Sequence, residues 1–470
     1  PMMCSRFLRP TAHNERQAGL YGAIERIFDT ALRFYDVTLH MVMRHRFVCL
    51  LASFGILGLT AWMFVVAPKG FLPTEDNGQI VVRTEGQQGS SLANMTEHQM
   101  QLVDIVKRNP YVSRYMSVIG GGGGANFTHE GFLSLGLTDR DERPHASEII
   151  QELRKEFARV PGIRTYASLP PPIRIGGAAT KSLYQFTMQS PEMDLLYRDA
   201  QALYEKVRAL PGLQNVASDL LLSNPEVRVR ILRDKASALG ITAAQIEKAL
   251  SLAYGTREVS TILAPTNDYQ VILELEPRFR EQPRTLDLLH VRAPSGKLIP
   301  LSTLVEVSTG VGPMVVNHLG QIPSVTISFD LREGVSLGSA VEQVQRLAEE
   351  TLADSISTSF QGTAQAFQSS FQNLWLLLIM SIAVIYIVLG ILYESFIHPL
   401  TILSGLPSAG VGALATLLLF GKDLDIYGFV GIIMLIGIVK KNAIMMIDFA
   451  LEAQRKQHMD AESSIIQGAL

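Results

Sequence analysis

Four long apolar segments dominate the hydrophobic pattern of this chain of 470 residues. Each has about the 20 residues with which an α-helix crosses the hydrocarbon core of a membrane, and the first three contain no charged residue. A large soluble protein could bury one such helix, but four of them indicate a membrane protein. We predict membrane spans at residues 47–67, 374–393, 400–420 and 426–449. Pro407 predicts a bend in the third span.

A further helical pattern precedes the first span. Apolar residues recur at helical spacing between residues 20 and 35, which predicts an amphipathic helix on the membrane surface or against the helix bundle. Basic residues follow at Arg44 and Arg46, and again after the last span at Arg455 and Lys456. Because basic residues favour the cytoplasmic side, both ends are expected there. The polar stretch between the first two spans is then expected in the periplasm of a Gram-negative host.

The polar stretch predicts two related α/β units. Strand, helix, strand, strand, helix and strand follow one another between residues 79 and 167, which is the ferredoxin-like split pattern. The same order recurs up to residue 361, but an insertion separates its halves. The predicted boundaries are 68–181 for the first unit, 182–225 with 318–373 for the second, and 226–317 for the insertion. The expected fold class is an α+β membrane protein with four transmembrane helices, ferredoxin-like βαββαβ subdomains and an inserted subdomain.

Composition argues against several other classes of protein. The formal net charge is −3 and only 18% of the residues are charged, so the chain lacks the basic surface that nucleic-acid binding normally needs. The ten histidines show no metal-ligand spacing. The glycine run at 120–124 is not a phosphate loop, because no Lys-Ser/Thr pair follows it and the next element is a strand. We therefore predict neither a metal site nor an enzyme.

A pair of lysines, Lys440 and Lys441, lies inside the last apolar segment. An ionisable group at this depth is costly, so it usually marks the path of an ion or a substrate. Consecutive helical residues point about 100° apart, so the two lysines face different neighbours. Extension to the cytoplasmic interface is the alternative for both, and it suits Lys440 better. Asn442 is a candidate for the same polar cluster or for a contact with another helix.

Three motifs carry a resemblance to a known family. The first follows the first span at 68–78 (PKGFLPTEDNG). The second joins the second and third spans at 392–399 (LYESFIHP), and the third contains the lysine pair at 437–448 (GIVKKNAIMMID). The chain resembles the inner-membrane subunit of resistance-nodulation-division (RND) efflux pumps of the hydrophobe/amphiphile branch. The last two motifs resemble those of the heteromeric multidrug pumps of enteric bacteria, and the resemblance to the family covers essentially the whole chain.

This resemblance implies a fragment from the second half of such a pump. It would run from the end of the sixth transmembrane helix to the tenth, and both of its ends look cut. Residues 1–46 would form a linker with an amphipathic helix on the cytoplasmic side, and residues 450–470 a truncated cytoplasmic tail.

The resemblance further implies a drug/proton antiporter of the bacterial inner membrane, driven by the proton-motive force and without a cofactor. In that family the lysine before Asn-Ala on the tenth helix pairs with two aspartates on the fourth helix, and their protonation drives transport. Lys441 matches that lysine and is the expected proton-relay residue, with Asn442 in support. Clustered carboxylates in low dielectric repel one another, a lysine stabilises their charged forms, and proton binding breaks this balance. The two aspartates lie outside this chain.

Substrate contacts and partners are implied in the same way. The glycine run corresponds to a switch loop between two drug pockets, so Phe127 and Phe132 beside it are expected to stack on hydrophobic or amphiphilic compounds. Tyr166 is expected in the wall of an entrance pocket. Ordinary packing is the alternative for all three. The two units correspond to porter subdomains and the insertion to a docking subdomain. The implied partners are the other protomers of a homo- or heterotrimer, a periplasmic adaptor protein and an outer-membrane channel.

Two alternatives stay open. One is a heavy-metal efflux subunit, in which some methionines of the polar middle are soft ligands; the candidates are Met116, Met188, Met193 and Met314. The other is a protein that does not translocate substrate: an inactive partner in a heteromeric pump, or a membrane-anchored binding or sensor protein. In that case Lys441 would carry no protons.

Overall fold

The computed structural model describes residues 20–120, 127–255, 257–280 and 283–469. It begins with two helices that meet at His45, α1 (Leu20–Arg44) and α2 (Arg46–Val66). Helix α2 carries a charge only at its first residue, and it is long enough to cross a membrane. Most of its side chains are exposed, which suits a helix surrounded by lipid or by further helices.

The first α/β unit has its elements in the order strand, helix, strand, strand, helix, strand, with a short 3-10 helix (Arg140–Glu142) before the second helix. They are β1 (Gln79–Gly86), α3 (Leu92–Arg108), β2 (Val112–Ile119), β3 (Glu130–Leu137), α4 (Ala146–Phe157) and β4 (Ile163–Ser168). The sheet order is β2-β3-β1-β4, and all neighbours are antiparallel. Val82 and Leu133 are fully buried in the core with side chains from α3 and α4. Because side chains alternate along a strand, Arg83 and Phe132 lie on the opposite face of the sheet.

The second unit begins with β5 (Tyr184–Gln189), α5 (Met193–Arg208) and β6 (Leu213–Ser218), and the chain then leaves it for the insertion. The insertion contains β7 (Asn224–Ile231), α6 (Arg233–Ala238), α7 (Ala243–Tyr254), β8 (Arg257–Leu263), β9 (Asp268–Leu273), two short 3-10 helices (Pro277–Phe279 and Pro283–Leu288), β10 (His290–Arg292), β11 (Leu298–Pro300), α8 (Leu301–Leu304) and β12 (Val305–Gly312). Strands β7 and β12 pair as an antiparallel ribbon, in which Asn224 lies opposite Gly312. Among the strands that the structure describes, β8 and β9 pair with each other alone, and nearly all of their side chains are exposed.

The chain returns to the second unit through β13 (His318–Leu319), β14 (Ile322–Leu331), α9 (Leu337–Thr351) and β15 (Ser357–Gln361). The main sheet order is β6-β14-β5-β15, again antiparallel throughout. If the insertion is left out, this is the strand order of the first unit, so the two units share one topology. Phe186, Phe329 and Phe360 lie in the core of this unit, together with side chains from α5 and α9.

Five helices complete the described chain: α10 (Thr363–Tyr393), α11 (Ile397–Leu403), α12 (Leu406–Leu419), α13 (Ile426–Gln457) and α14 (Ala461–Ala469). Within the described ranges, four segments are long and apolar enough to cross a membrane: α2, the later part of α10, α11 with α12, and α13. These match the four predicted spans. Helix α10 begins before the predicted start at residue 374, so it runs without a break from the second unit into the apolar region. The third span is interrupted at Ser404 and Gly405, just before Pro407, which has no N–H to continue the helix.

A main-chain junction joins the segment after α2 to the segment before α13. Leu424 N donates to Pro68 O (2.7 Å), and Gly70 N donates to Leu424 O (3.2 Å). A third bond runs from Ile426 N, at the start of α13, to Phe71 O (3.2 Å). We call residues 68–71 the junction segment. It fixes the first turn of α13 against the end of α2.

The junction segment also contacts the second α/β unit. Lys69 O accepts a hydrogen bond from Gly338 N in the first turn of α9 (3.0 Å). Phe71 is buried in the core of the second unit, where its ring packs edge-on against Phe367 of α10 with centroids 6.4 Å apart. One four-residue segment therefore contacts two membrane helices and the core of the second unit.

A buried ion pair anchors the chain where it enters the first unit. Arg143 donates to both carboxylate oxygens of Asp76 at 2.7 Å, and the two side chains are 2% and 0% exposed. Asp76 also accepts from Ala146 N at the start of α4 (2.9 Å). The hydrogen bonds from Arg143 hold the pKa of Asp76 well below its usual range. The pair is bidentate and fully enclosed, which is the geometry in which loss of one partner is most costly.

We predict that Arg143→Met lowers the free energy of unfolding by about 3 kcal/mol, because Asp76 is left buried without its counter-ion. Urea unfolding of the solubilised protein, followed by near-UV circular dichroism, measures this loss. The matched control is Arg159→Met, since Arg159 forms an exposed pair with Glu156; we expect a change within about 0.5 kcal/mol.

The same pair predicts a dependence of stability on pH. Because the folded-state pKa of Asp76 is depressed, the stabilisation is complete above the ordinary value of 3.8 and is lost as the pH falls below it. The difference in unfolding free energy between the wild type and Arg143→Met should therefore shrink as the pH falls below about 4. A difference that stays constant between pH 7 and pH 3 would contradict this assignment.

Candidate functional site

The lysine pair lies on α13, which begins at a capped N-terminus. Asp425 accepts a hydrogen bond from Gly428 N (2.8 Å) and so satisfies one of the free amide groups of the first turn. The buried residues of α13 recur at spacings of three, four and seven, which places them along one stripe of the helix. They are Phe429, Ile436, Lys440, Ile447, Ala450 and Ala453. Lys440 belongs to this stripe and Lys441 does not.

Lys440 is enclosed by the membrane helices, and Lys441 is not. Only 5% of Lys440 is exposed, and its Nζ has no hydrogen-bond partner within the described part of the chain. The expected extension of Lys440 to the cytoplasmic interface is therefore wrong in this structure. Lys441 and Asn442 lie on the exposed side of α13, where lipid or further helices would contact them. Sequence spacing could not decide which lysine faces inward, because that depends on how α13 packs.

A carboxylate on α13 bonds to another membrane helix. The hydroxyl of Tyr393, the last residue of α10, donates to Asp448 Oδ1 (2.7 Å). Asp448 lies two turns after Lys441, on the same side of α13. The bond ties the end of α10 to α13, and sequence reasoning missed it because the two residues are far apart in the chain.

Two of the predicted substrate residues lie in one row of the first sheet. Phe132 on β3 and Tyr166 on β4 are both opposite Arg83 on β1. Residues directly opposite one another in an antiparallel sheet share a face. The structure therefore brings Phe132 and Tyr166 to either side of one arginine, although Tyr166 is 6% exposed and Phe132 is only partly buried.

The next row of this face is charged. Glu85 on β1 lies opposite Glu130 on β3 and opposite Arg164 on β4. The hydroxyl of Tyr166 donates to Glu85 Oε2 (2.8 Å), and Lys181 Nζ pairs with Glu85 and, at 3.3 Å, with Glu130. Burial and the nearby Glu85 raise the pKa of the Tyr166 phenol, so that it remains a proton donor. Lys181 lies shortly before β5, so this contact ties the segment before β5 to the first sheet.

Phe127 and His129 lie just before β3. Their rings are 5.6 Å apart, Phe127 is partly buried, and His129 is fully buried. Neither ring nitrogen of His129 has a hydrogen-bond partner among the described residues. Burial lowers the pKa of His129, which favours the neutral ring. Most of the predicted switch loop falls on residues 121–126, which lie outside the described residues.

The fold brings together three potential ligand residues that the sequence did not reveal. Glu85, His129 and Glu130 each present one ligand atom, and these atoms lie within 4.8 Å of one another. Whether these residues hold a metal ion is not decided by their proximity, and the prediction of no metal site stays a prediction. The residues meet through the register of β1 against β3, which cannot be read from the spacing of histidines.

Two clefts lie on the α/β units, and the first of them reaches Glu85. One, of about 550 Å³, is bounded by Glu85, Gln88, Arg164 and Ser223. The other, of about 940 Å³, lies between the two α/β units and the loop before α13; its lining includes Leu72, Arg154, Asp330, Arg332 and Lys422. Phe127, Phe132 and Tyr166 are not among the described residues that line either cleft, so their role in substrate contact stays a prediction.

The methionines proposed as soft metal ligands are dispersed. Met188 is fully buried in the core of the second unit, Met116 is exposed on β2 of the first unit, Met193 is exposed on α5, and Met314 is partly buried between β12 and β13. Met188 packs among apolar side chains. The described structure therefore gives this alternative no common site.

A family model described as the AcrB/AcrD/AcrF family matches residues 1–470. The match spans the lysine helix, both α/β units and the insertion.

We predict that Lys440→Met stabilises the solubilised protein by about 1–2 kcal/mol, because it removes a buried donor that has no partner and keeps a similar apolar stem. Lys441→Met is the matched control and should change the stability by less than about 0.5 kcal/mol, since Lys441 is exposed. Thermal unfolding in the same detergent measures both. A loss of stability in Lys440→Met would show that the ammonium group has a partner in the protein.

Proposed function

The chain belongs to the AcrB/AcrD/AcrF family of RND permeases, and we propose that it is part of a proton-driven pump that exports hydrophobic or amphiphilic compounds across the envelope of a Gram-negative bacterium. The observation that carries the proposal is a lysine pair inside a membrane helix whose first turn is fixed, through the junction segment, to an α/β unit. A change of protonation near the lysines can thus move the external units, because packed structure connects the two. No cofactor is invoked, because the proton-motive force supplies the energy.

Lys441 is the proposed proton-relay residue, with Asn442 in support. Its exposed position suits this role, because the side chain is free to meet carboxylates from helices that do not pack on this face in the described chain. An ammonium group beside such carboxylates favours their charged forms, and protonation of a carboxylate weakens the attraction. The helix then has two arrangements, one for each protonation state. Lys440 would stay inside the group of helices formed by this chain.

Two connections would transmit the movement. The first is the junction segment, which bonds to the start of α13 and to the first turn of α9. The second is α10, which is a single helix from the end of β15 to Tyr393 and is bonded there to Asp448. At about 1.5 Å per residue, a helix of 31 residues is about 46 Å long. Tilting α13 or α10 would displace the second unit, because main-chain hydrogen bonds tie the junction segment to the start of α13 and to α9, and α10 is one continuous helix.

The α/β units are the proposed porter subdomains in the periplasm, and the insertion is the proposed docking subdomain. Hairpin β8–β9 supports the second assignment, because it exposes Val259, Ile262, Leu263, Tyr269 and Ile272. Scattered apolar residues are common on protein surfaces, but a hairpin with so little buried area of its own is suited to packing against a partner. The proposed partners are the other protomers of a homo- or heterotrimer, an adaptor protein and an outer-membrane channel, with the whole assembly in the inner membrane.

The test is dye accumulation in cells that lack other exporters and carry this chain within its complete pump. We expect the wild type to keep accumulation low and Lys441→Ala to raise it to the level of cells without the pump, because the relay loses its cation. The control is Lys456→Ala on the same helix, which removes an exposed pair with Glu452 and should leave export unchanged.

Equal membrane levels of all variants are a condition of this comparison. Normal export by Lys441→Ala would contradict the relay and favour a non-translocating role for this chain. Loss of export in Lys440→Ala alone would move the relay to the buried lysine.

A further inference from the structure

We propose that Glu85, His129 and Glu130 form a binding site for a divalent transition-metal ion of the Zn²⁺ class, with Lys181 as its built-in competitor. The site lies on the charged face of the first sheet and does not depend on the proposed export function.

The positions of the three residues are set by backbone structure. Glu85 and Glu130 are directly opposite one another in the β1–β3 ladder. His129 precedes Glu130, and its carbonyl accepts a hydrogen bond from Gly86 N (2.7 Å), which fixes it at the end of the same ladder. One ligand atom from each side chain lies within 4.8 Å of the other two. Because the sheet holds all three, a cation would meet a set of ligands that is already assembled.

His129 is the observation that points to a ligand. The residue is 0% exposed, and within the described chain neither Nδ1 nor Nε2 has a hydrogen-bond partner. Buried polar atoms nearly always have a partner, and an unpartnered one calls for an explanation. An imidazole nitrogen beside two carboxylates is a common arrangement for holding a metal ion, and a bound ion would use the free lone pair of His129.

The donor set selects the class of metal. One imidazole nitrogen and two carboxylate oxygens suit Zn²⁺, which binds both at about 2.0–2.2 Å. Ca²⁺ and Mg²⁺ prefer oxygen ligands alone, and no thiolate is present among these three residues to favour Cu(I). Ligand atoms around one tetrahedral ion lie about 3.3 Å apart, so small rotations of the two glutamate side chains would close the site. Water would complete the coordination.

Through its Nζ, Lys181 already pairs with the two carboxylates that would hold a metal ion, those of Glu85 and Glu130. Arg164 and Arg83 lie beside the carboxylates on the same face and add positive charge. A metal ion must therefore displace Lys181, and in doing so it would release the contact that joins the segment before β5 to the first unit. This competition makes a specific prediction: removal of Lys181 should strengthen metal binding.

The experiment is a titration of the purified, detergent-solubilised protein with ZnCl₂ in competition with a chromophoric chelator. We expect one Zn²⁺ per chain at this site in the wild type and a loss of affinity of at least about thirtyfold in His129→Gln. Glu130→Gln should weaken binding by about tenfold or more, and Lys181→Met should strengthen it by about tenfold, because its ammonium no longer competes. The control is His98→Gln: its Nδ1 is also buried without a partner, but it stands outside the cluster.

The variants are expected to change the Zn²⁺ affinity in opposite directions, and this distinguishes loss of a ligand from misfolding. A folding defect would weaken binding in every variant, whereas Lys181→Met is expected to bind more tightly than the wild type. Equal affinity in the wild type and in both ligand variants would overturn the site, as would the absence of a stoichiometric Zn²⁺ in the wild type. Weaker binding in Lys181→Met would overturn the competition. Co²⁺ absorption in the visible region provides a second measurement of the same ligands.

Discussion

The three main-chain hydrogen bonds between the junction segment and the start of α13 are the constraint on which the rest of the structure depends. Each bond contributes only about 1 kcal/mol net. Together they fix the direction and register of the junction segment against the residues that lead into α13. Leu424 both donates to Pro68 and accepts from Gly70, so the two segments cannot slide past one another without breaking both bonds. Through Lys69 and Phe71 the same four residues reach the second α/β unit. The orientation of the membrane helices relative to the second α/β unit is therefore held by backbone rather than by side chains alone.

Buried charged side chains have different kinds of partner in different parts of the molecule. Asp76 has a complete partner in Arg143. Asp330 is 8% exposed and forms no such ion pair with any described residue. It accepts hydrogen bonds from Leu183 N (2.9 Å) and Asn215 Nδ2 (2.8 Å), and burial raises its pKa. Asn215 has a φ of +52° and also donates to Ala167 O (3.1 Å) on the first sheet. Asp330 therefore helps to hold Asn215 in its left-handed conformation, and Asn215 in turn links the two units. Lys440 has neither kind of partner within the described chain.

Local patterns predicted most of the elements, and long-range contacts account for what they missed. The apolar segments were long enough to predict all four spans, and the alternation of polar and apolar residues predicted the repeated order of strands and helices. The predicted span at 374–393 agrees with the apolar part of α10, but the apolar pattern did not show that the helix begins at Thr363, where Ala364 and Phe367 pack into the second unit. The inward position of Lys440 depends on helix packing, and the meeting of Glu85 with His129 depends on strand register. Neither is a property of a local stretch of sequence.

The antiparallel ribbon of β7 and β12 has a consequence for how this architecture can vary. Asn224 and Gly312 are directly opposite one another, so the chain leaves the second unit and returns to it at nearly the same point. Everything between these two residues is therefore attached by a single two-stranded stem, and its own core is separate from that of the second unit. The insertion could be shortened, enlarged or exchanged without altering the distance that β6 and β14 must span. The surface of the insertion can thus change while the sheet of the second unit, to which it is attached, stays the same.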